Sequence, residues 1–199
     1  METLKKLFSF TMGEIYVPPK IYKLKHKLIH ISDTPIVIHK NIINLSKKLF
    51  PDFIIHTGDV VDDLKLEYKP YFENRYKKIA ENFLNTLSLY VKNKIILVPG
   101  NHDKLDIIKF KNDKFVIKNE GENLLIGSID FCLAHKIENL SKKGDFFLYG
   151  HDSIWVEDTN YLNGLNFINI IDLENKDVLK LPYPLGTNLS RLNRLKIGF

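Results

Sequence analysis

The stretch Val98-Pro99-Gly100-Asn101-His102-Asp103 closes an apolar run, Ile95-Ile96-Leu97-Val98, with a turn made of Gly, Asn, His and Asp. Other runs in the chain end the same way. Leu28 to Ser32 runs into Asp33-Thr34-Pro35, and Phe53 to Thr57 runs into Gly58-Asp59-Val60-Val61-Asp62. Two later runs end on histidine: Phe131 to Ala134 meets His135, and Phe146 to Tyr149 meets Gly150-His151. Short apolar runs bounded by turn residues read as buried strands. In a sheet with parallel strands, chemistry collects at the carboxyl ends. Strand ends that deliver Asp, Asp, Asn, His and His describe a metal cage at one edge of a sheet. A single Asp after a strand is usually a turn former, and a single His there is usually structural, so the weight rests on the set. Glycine ahead of the ligand (Gly58, Gly100, Gly150) permits a sharp turn and close backbone approach.

Between these runs the periodicity turns helical. From Asn41 to Phe50, Ile42, Leu45 and Leu49 share a face, and Pro51 ends the segment. Residues 63–70 read as a charged loop ending at Pro70. From Tyr71 to Val91, Phe72, Tyr76, Ile79, Phe83, Leu87 and Tyr90 recur at helical spacing, the stripe of a helix packed on a sheet. The first half therefore reads β-α-β-α-β, with Lys94–Val98 as its third strand. The second half offers short strands at Lys114–Lys118, Asn123–Ile126, Ile129–Leu133, Asp145–Tyr149, Ile154–Val156, Leu165–Ile171 and Asp177–Leu181. The expected fold is α/β, a layered arrangement of mixed β-sheets flanked by helices, with four layers if helices cover both outer faces. One domain is expected across residues 1–199, with 1–27 as an N-terminal lead-in marked by Pro18-Pro19.

The chain of 199 residues is 44% hydrophobic and 27% charged, the composition of an ordinary globular protein. Cys132 is the only cysteine, which excludes a disulfide framework and a thiolate metal cluster. A metal would be held by imidazole, carboxylate and amide oxygen, a set suited to Mn, Fe, Zn or Mg. The net charge of +5 comes mostly from lysines spread along the chain, which favours phosphate-bearing substrates and supports nucleic acid only weakly. No run reaches the length needed to span a bilayer and the N-terminus lacks a signal-peptide pattern, so the expected location is cytoplasmic.

In order along the chain, Asp33-Thr34-Pro35, Gly58-Asp59-Val60-Val61-Asp62, Gly100-Asn101-His102-Asp103, His135 and Gly150-His151-Asp152-Ser153 resemble the motifs of the calcineurin-like metallophosphoesterase superfamily. The resemblance spans about residues 28–153. It implies the layered fold of that superfamily and a divalent-metal phosphoester hydrolase, with Mn, Fe or Zn as cofactor. Asp59 would bridge two metals, Asp33 would serve the first, and Asn101, His135 and His151 the second. His102 would face the phosphoryl group and stabilise or protonate the leaving oxygen, with Asp103 orienting it. The substrate would be a small-molecule phosphoester or nucleotide, a phosphodiester in preference to a monoester.

The chain departs from the pattern at two positions. Pro35 and Ser153 stand where the first metal's histidines are expected. Three readings follow: a two-metal hydrolase completed by Asp152, Asp62 or His39, a one-metal hydrolase, or an inactive module that binds a protein partner. Retention of His102 favours activity, since a scaffold has no chemical need for it. Of the remaining histidines, His26 reads as exposed, His30 and His56 as buried and hydrogen-bonded, and His39 as a surface position at a helix start. Trp155 reads as core packing or a pocket wall. Arg191, Arg194 and Lys196 read as a tail that is docked, solvated or in contact with a polyanion or partner.

Overall fold

The computed structural model describes residues 13–154, 156–187 and 191. The first strand, β1 (Lys27–Ile31), is followed by α2 (Ile36–Leu49), β2 (Phe53–His56), α3 (Glu73–Leu87) and β3 (Lys94–Leu97), with a short helix α1 (Pro19–Tyr22) before them. The order β-α-β-α-β is the one the apolar runs imply. The chain continues through β4 (Phe115–Ile117), β5 (Glu122–Ile126), β6 (Ile129–Leu133), β7 (Phe146–Tyr149), β8 (Tyr161–Asn163), β9 (Ile168–Asp172) and β10 (Val178–Leu181).

The strands form two sheets, one of order β10-β9-β1-β2-β3-β4 and one of order β5-β6-β7-β8. Both are mixed. Strands β1 to β4 run parallel, while β9 is antiparallel to β1 and β10 to β9. In the smaller sheet β5 is antiparallel to β6, and β6, β7 and β8 are parallel. The register pairs Ile31 with His56 and His56 with Leu97, so β1, β2 and β3 end level. Level ends bring Asp33, Asp59 and Asn101 to one edge.

Side chains alternate between two cores, as a pleated strand requires. Ile29, Ile31, Ile54, Ile95 and Leu97 pack against Ile38, Ile42, Leu45, Phe83, Leu84 and Leu87 of the helices. On the other face Leu28, Ile55 and Ile96 meet Phe131, Leu133, Phe146 and Leu148 of the smaller sheet. The described residues thus make three layers: helices, large sheet, small sheet. The outer face of the small sheet carries loops there. The Ser141 amide donates to the Cys132 sulfur at 3.0 Å, and the Tyr149 hydroxyl to the Ile154 carbonyl at 3.1 Å. Among the described residues no helix is long and apolar enough to cross a membrane.

Several elements differ from the sequence reading, each for a local reason. Helix α2 begins at Ile36 rather than Asn41, with Pro35 at its N-cap (φ −67°), because proline pre-sets the entry. The β-branched Ile36-Val37-Ile38 run disguised its first turn. The segment from Tyr71 to Val91 is an α-helix only over Glu73–Leu87, with 3-10 turns Pro70–Phe72 and Ser88–Tyr90 at its ends. Ile154 and Val156 are not in a strand; the Ile154 carbonyl accepts from side chains instead. The unforeseen β8, only three residues long, takes that place in the sheet. Strand β9 starts late because the Asn163 side-chain oxygen accepts from the Leu165 amide at 2.8 Å, turning Leu165 out of the sheet. In the expected lead-in, Ile15, Val17 and Ile21 are buried in the core beside the helices.

Candidate metal centre

The loops at the shared edge are tied to one another before any ligand is considered. The Asp33 amide donates to the Gly58 carbonyl at 2.9 Å, and the Thr34 amide to the Asp59 carbonyl at 3.0 Å. Gly58 has φ +100°, and a Cβ there would come within 2.4 Å of the His135 ring. At Gly150 a Cβ would lie 1.9 Å from the Ser32 hydroxyl. Asp33, Asp59 and His151 all adopt left-handed backbone, with φ of 51°, 55° and 61°. Non-glycine residues in that region cluster where the surrounding structure over-determines them, functional sites above all.

Asp59, His135 and His151 bring ligand atoms within 4.8 Å of one another. His135 Nδ1 donates to the Thr57 carbonyl at 2.7 Å, because a carbonyl only accepts. In the neutral ring its Nε2 then carries the lone pair, within hydrogen-bond reach of His151 Nδ1 (3.1 Å) and Asn101 Oδ1 (3.2 Å), with Asp59 Oδ2 at 3.7 Å. The Asn101 amide nitrogen donates to Glu67 at 2.9 Å, which turns its oxygen inward. The donor set is thus rich in lone pairs and short of protons, and it fits a divalent cation of borderline hardness. Burial and the neighbouring His135 lower the His151 pKa, which keeps the ring neutral as a ligand requires. Burial, then Asp33, Asp103 and Asp62, raise the Asp59 carboxyl well above the usual carboxylate range, a strain that a cation relieves.

Asp33, Asp59 and Asp62 form a second group, all buried, with oxygens within 4.8 Å of one another. The Ser32 hydroxyl and the His151 amide donate to Asp33 Oδ2 at 2.7 and 2.9 Å, so this carboxylate joins the ends of both sheets. Pro35 is committed to the helix cap, and Ser153 is exposed. Of the substitutes considered, Asp62 lies in the carboxylate group, and Asp152 sits on the rim, 3.9 Å from His151 Nε2. His39 is placed elsewhere and is not a surface residue. It is buried, stacks on Phe83 at 3.9 Å, and its Nε2 donates to the Thr34 and Val60 carbonyls. The apolar face of α2 includes position 39 once the helix starts at Ile36.

His102 is buried at the same edge, its amide donating to Asp59 Oδ1 at 3.1 Å. The carboxylate beside its ring is Glu67, 3.6 Å from Nδ1. Asp103, expected to orient that ring, binds backbone instead. It accepts from the Asp59, Val60 and Gly100 amides and from the Tyr76 hydroxyl, at 2.8 to 2.9 Å. These donors fill both carboxylate oxygens, so Asp103 fastens the second motif to the third. Desolvation still raises its pKa, against the pull of those donors.

Residues that the sequence reading left out also reach the site. Glu67 and Lys65 stand in the loop read as merely charged, and their only signal was their position directly after the Gly58–Asp62 motif. Arg191 is buried rather than solvated. It donates to the Asp33 and Ser32 carbonyls at 2.9 and 3.1 Å and lies 4.2 Å over the Tyr183 ring. His26 is largely exposed, as expected, and lies 3.4 Å from Asp52. Trp155, Arg194 and Lys196 lie outside the described residues.

Comparison with known proteins agrees with this fold. The solved structure of YfcE, a phosphoesterase from E. coli, superposes with a TM-score of 0.51 at 17% identity, over 79% of this chain and 98% of that one. At that identity the likeness speaks for the fold. No curated protein matches the chain in sequence. A family model for calcineurin-like phosphoesterases matches residues 26–189. That span takes in every candidate ligand from Asp33 to His151, and the chain belongs to the calcineurin-like phosphoesterase family.

Proposed function

We propose that this protein is a divalent-metal-dependent phosphoesterase whose preferred substrate is a phosphodiester. The observation that carries the reading is the convergence of His135 Nε2, His151 Nδ1, Asn101 Oδ1 and Asp59 Oδ2 at one point of the edge, a donor set that suits a cation. Asp59, Asn101, His135 and His151 would hold it, and manganese, iron or zinc suits the set. When bound, the cation supplies Lewis acidity, easing deprotonation of a water and taking up charge on phosphoryl oxygens.

The chain's own residues do the rest. Thr57 fixes the His135 tautomer through its carbonyl, and Glu67 fixes which end of the Asn101 amide faces inward. Asp103 keeps the Asp59 and Asn101 loops in register by binding the amides of Asp59, Val60 and Gly100. His102, with Glu67 beside it, holds a proton at its ring for the departing oxygen. The diester preference follows from the open edge. Asn101, Ser153 and Ile154 are exposed there, and a diester, with a substituent on each side of its phosphoryl group, asks for such an unwalled edge.

The test is turnover of bis-p-nitrophenyl phosphate and p-nitrophenyl phosphate with manganese and with chelator. A higher kcat/KM on the diester, lost with chelator, is expected. His102→Ala should retain the metal and lose about 10²–10⁴-fold in turnover. Absence of metal-dependent turnover on either ester would sink the enzyme reading and favour the protein-interaction module. Turnover greater on the monoester would overturn the substrate preference alone.

A further inference from the structure

We propose that the ammonium of Lys65 takes the place of a second metal ion, so that the centre works with one divalent cation and one lysine. The proposal rests on the metal-dependent reading above and deepens it. Three buried carboxylates, Asp33, Asp59 and Asp62, converge at the first subsite. Carboxylates brought together away from water require a positive charge among them or must give up their own. The positions that would help hold a metal there offer none of the means: Pro35 is a helix cap and Ser153 is exposed.

Lys65 supplies the charge. Its Nζ lies 2.5 Å from Asp62 Oδ1, and the Asp62 side chain is 2% exposed, the Lys65 side chain 22%. The same ammonium acts electrostatically on Asp59. An ion pair between exposed residues would mean little, but this one points inward from a pinned loop. Leu64 and Leu66 on either side are buried in the helix-side core. The Leu64 amide donates to the Val61 carbonyl at 3.0 Å, and the Tyr68 and Lys69 amides return to the Lys65 carbonyl at 3.1 and 2.9 Å. Lys65 is thus held against Asp62, at one side of the carboxylate group, by its backbone and both neighbours. A lysine ammonium is a compact point charge, suited to a place built for a cation.

Manganese titration followed by electron paramagnetic resonance tests the substitution of charge. Wild type should take one Mn per chain and give the signal of an isolated ion. Lys65→Arg, which keeps the charge, should behave alike. Lys65→Ala should open the subsite, raising the stoichiometry towards two and producing a spin-coupled signal. Lys65→Gln serves the same purpose if the alanine variant fails to fold by circular dichroism. Two coupled ions in wild type, or one isolated ion in every variant, would overturn the proposal while leaving the phosphoesterase reading intact. A wild type that takes no manganese and turns over no ester would instead defeat that reading, and this proposal with it.

Discussion

Among single residues, Asp33, Asp59 and His151 combine a candidate metal ligand with left-handed backbone. For an L-residue that conformation costs about 1–2 kcal/mol, with Asp more tolerant than His because its short polar side chain bonds locally. The His151 amide donates to Asp33, so the turn that strains His151 is also what fixes the carboxylate. His151→Ala and His151→Gly should both lose tight metal binding. In urea unfolding the glycine variant should be the more stable by about 1 kcal/mol, the part of the cost due to the Cβ. Equal stabilities would mean that the turn stores no such strain. That the candidate ligands meet at one edge was legible in the sequence because each ends an apolar run. The contacts of Asp103, Glu67 and Lys65 were not, since they depend on which side chain reaches which backbone amide or carboxylate across loops.

Within the elements, three buried histidines stand under the site and hold its loops. His30 Nε2 donates to the Thr57 hydroxyl at 3.0 Å while its Nδ1 accepts from Asn169 at 3.1 Å, a neutral tautomer. His56 Nε2 donates to the Thr34 hydroxyl at 2.9 Å, which itself donates to the Val60 carbonyl. His39 ties α2 to the Thr34 and Val60 carbonyls. Burial first of all depresses the three, His30 and His56 to about 3 and His39 to about 4. A folded pKa below the unfolded value of 6.5 means the unfolded chain takes up the proton first. The stability these groups allow is complete above pH 6.5 and declines as pH falls towards 4 and then 3. Each contributes a slope of up to about 1.4 kcal/mol per pH unit in that window. Asp59 and Asp103, raised in the fold, tilt the other way, so a comparison of variants isolates the histidine. His30→Gln should flatten the metal-free stability profile between pH 6.5 and 4 by about that slope; an unchanged profile would show that His30 does not titrate on unfolding. The central strands were legible because both faces are buried and the runs are continuous. β8 and the first turn of α2 were not, one being too short for a pattern and the other written in β-branched residues.

Across the whole molecule, the candidate ligands come from both sheets. Asp33, Asp59 and Asn101 follow strands of the large sheet, and His135 and His151 follow β6 and β7 of the small one. Their wide separation in sequence makes the centre a late product of folding, since such contacts form only after loop closure. Manganese should therefore leave the refolding rate of the chelated protein unchanged and slow unfolding instead. At 100 times its Kd it should add about 2.7 kcal/mol, and stopped-flow fluorescence separates the two limbs. Faster refolding with manganese would mean that the cage assembles before the sheets dock. The layered α/β plan was legible from the order of apolar runs. How far the helices extend over the outer faces was not, because loops that cover a sheet leave no periodic trace. The split of ligands between sheets also constrains how the sequence drifts over generations. Phe131 and Leu148, buried between the layers, set how far β6 and β7 stand from the large sheet. A replacement there that the fold tolerates still displaces two imidazoles from their cation. A demand made by chemistry at the edge thus reaches into the oily interior, to side chains that touch no substrate.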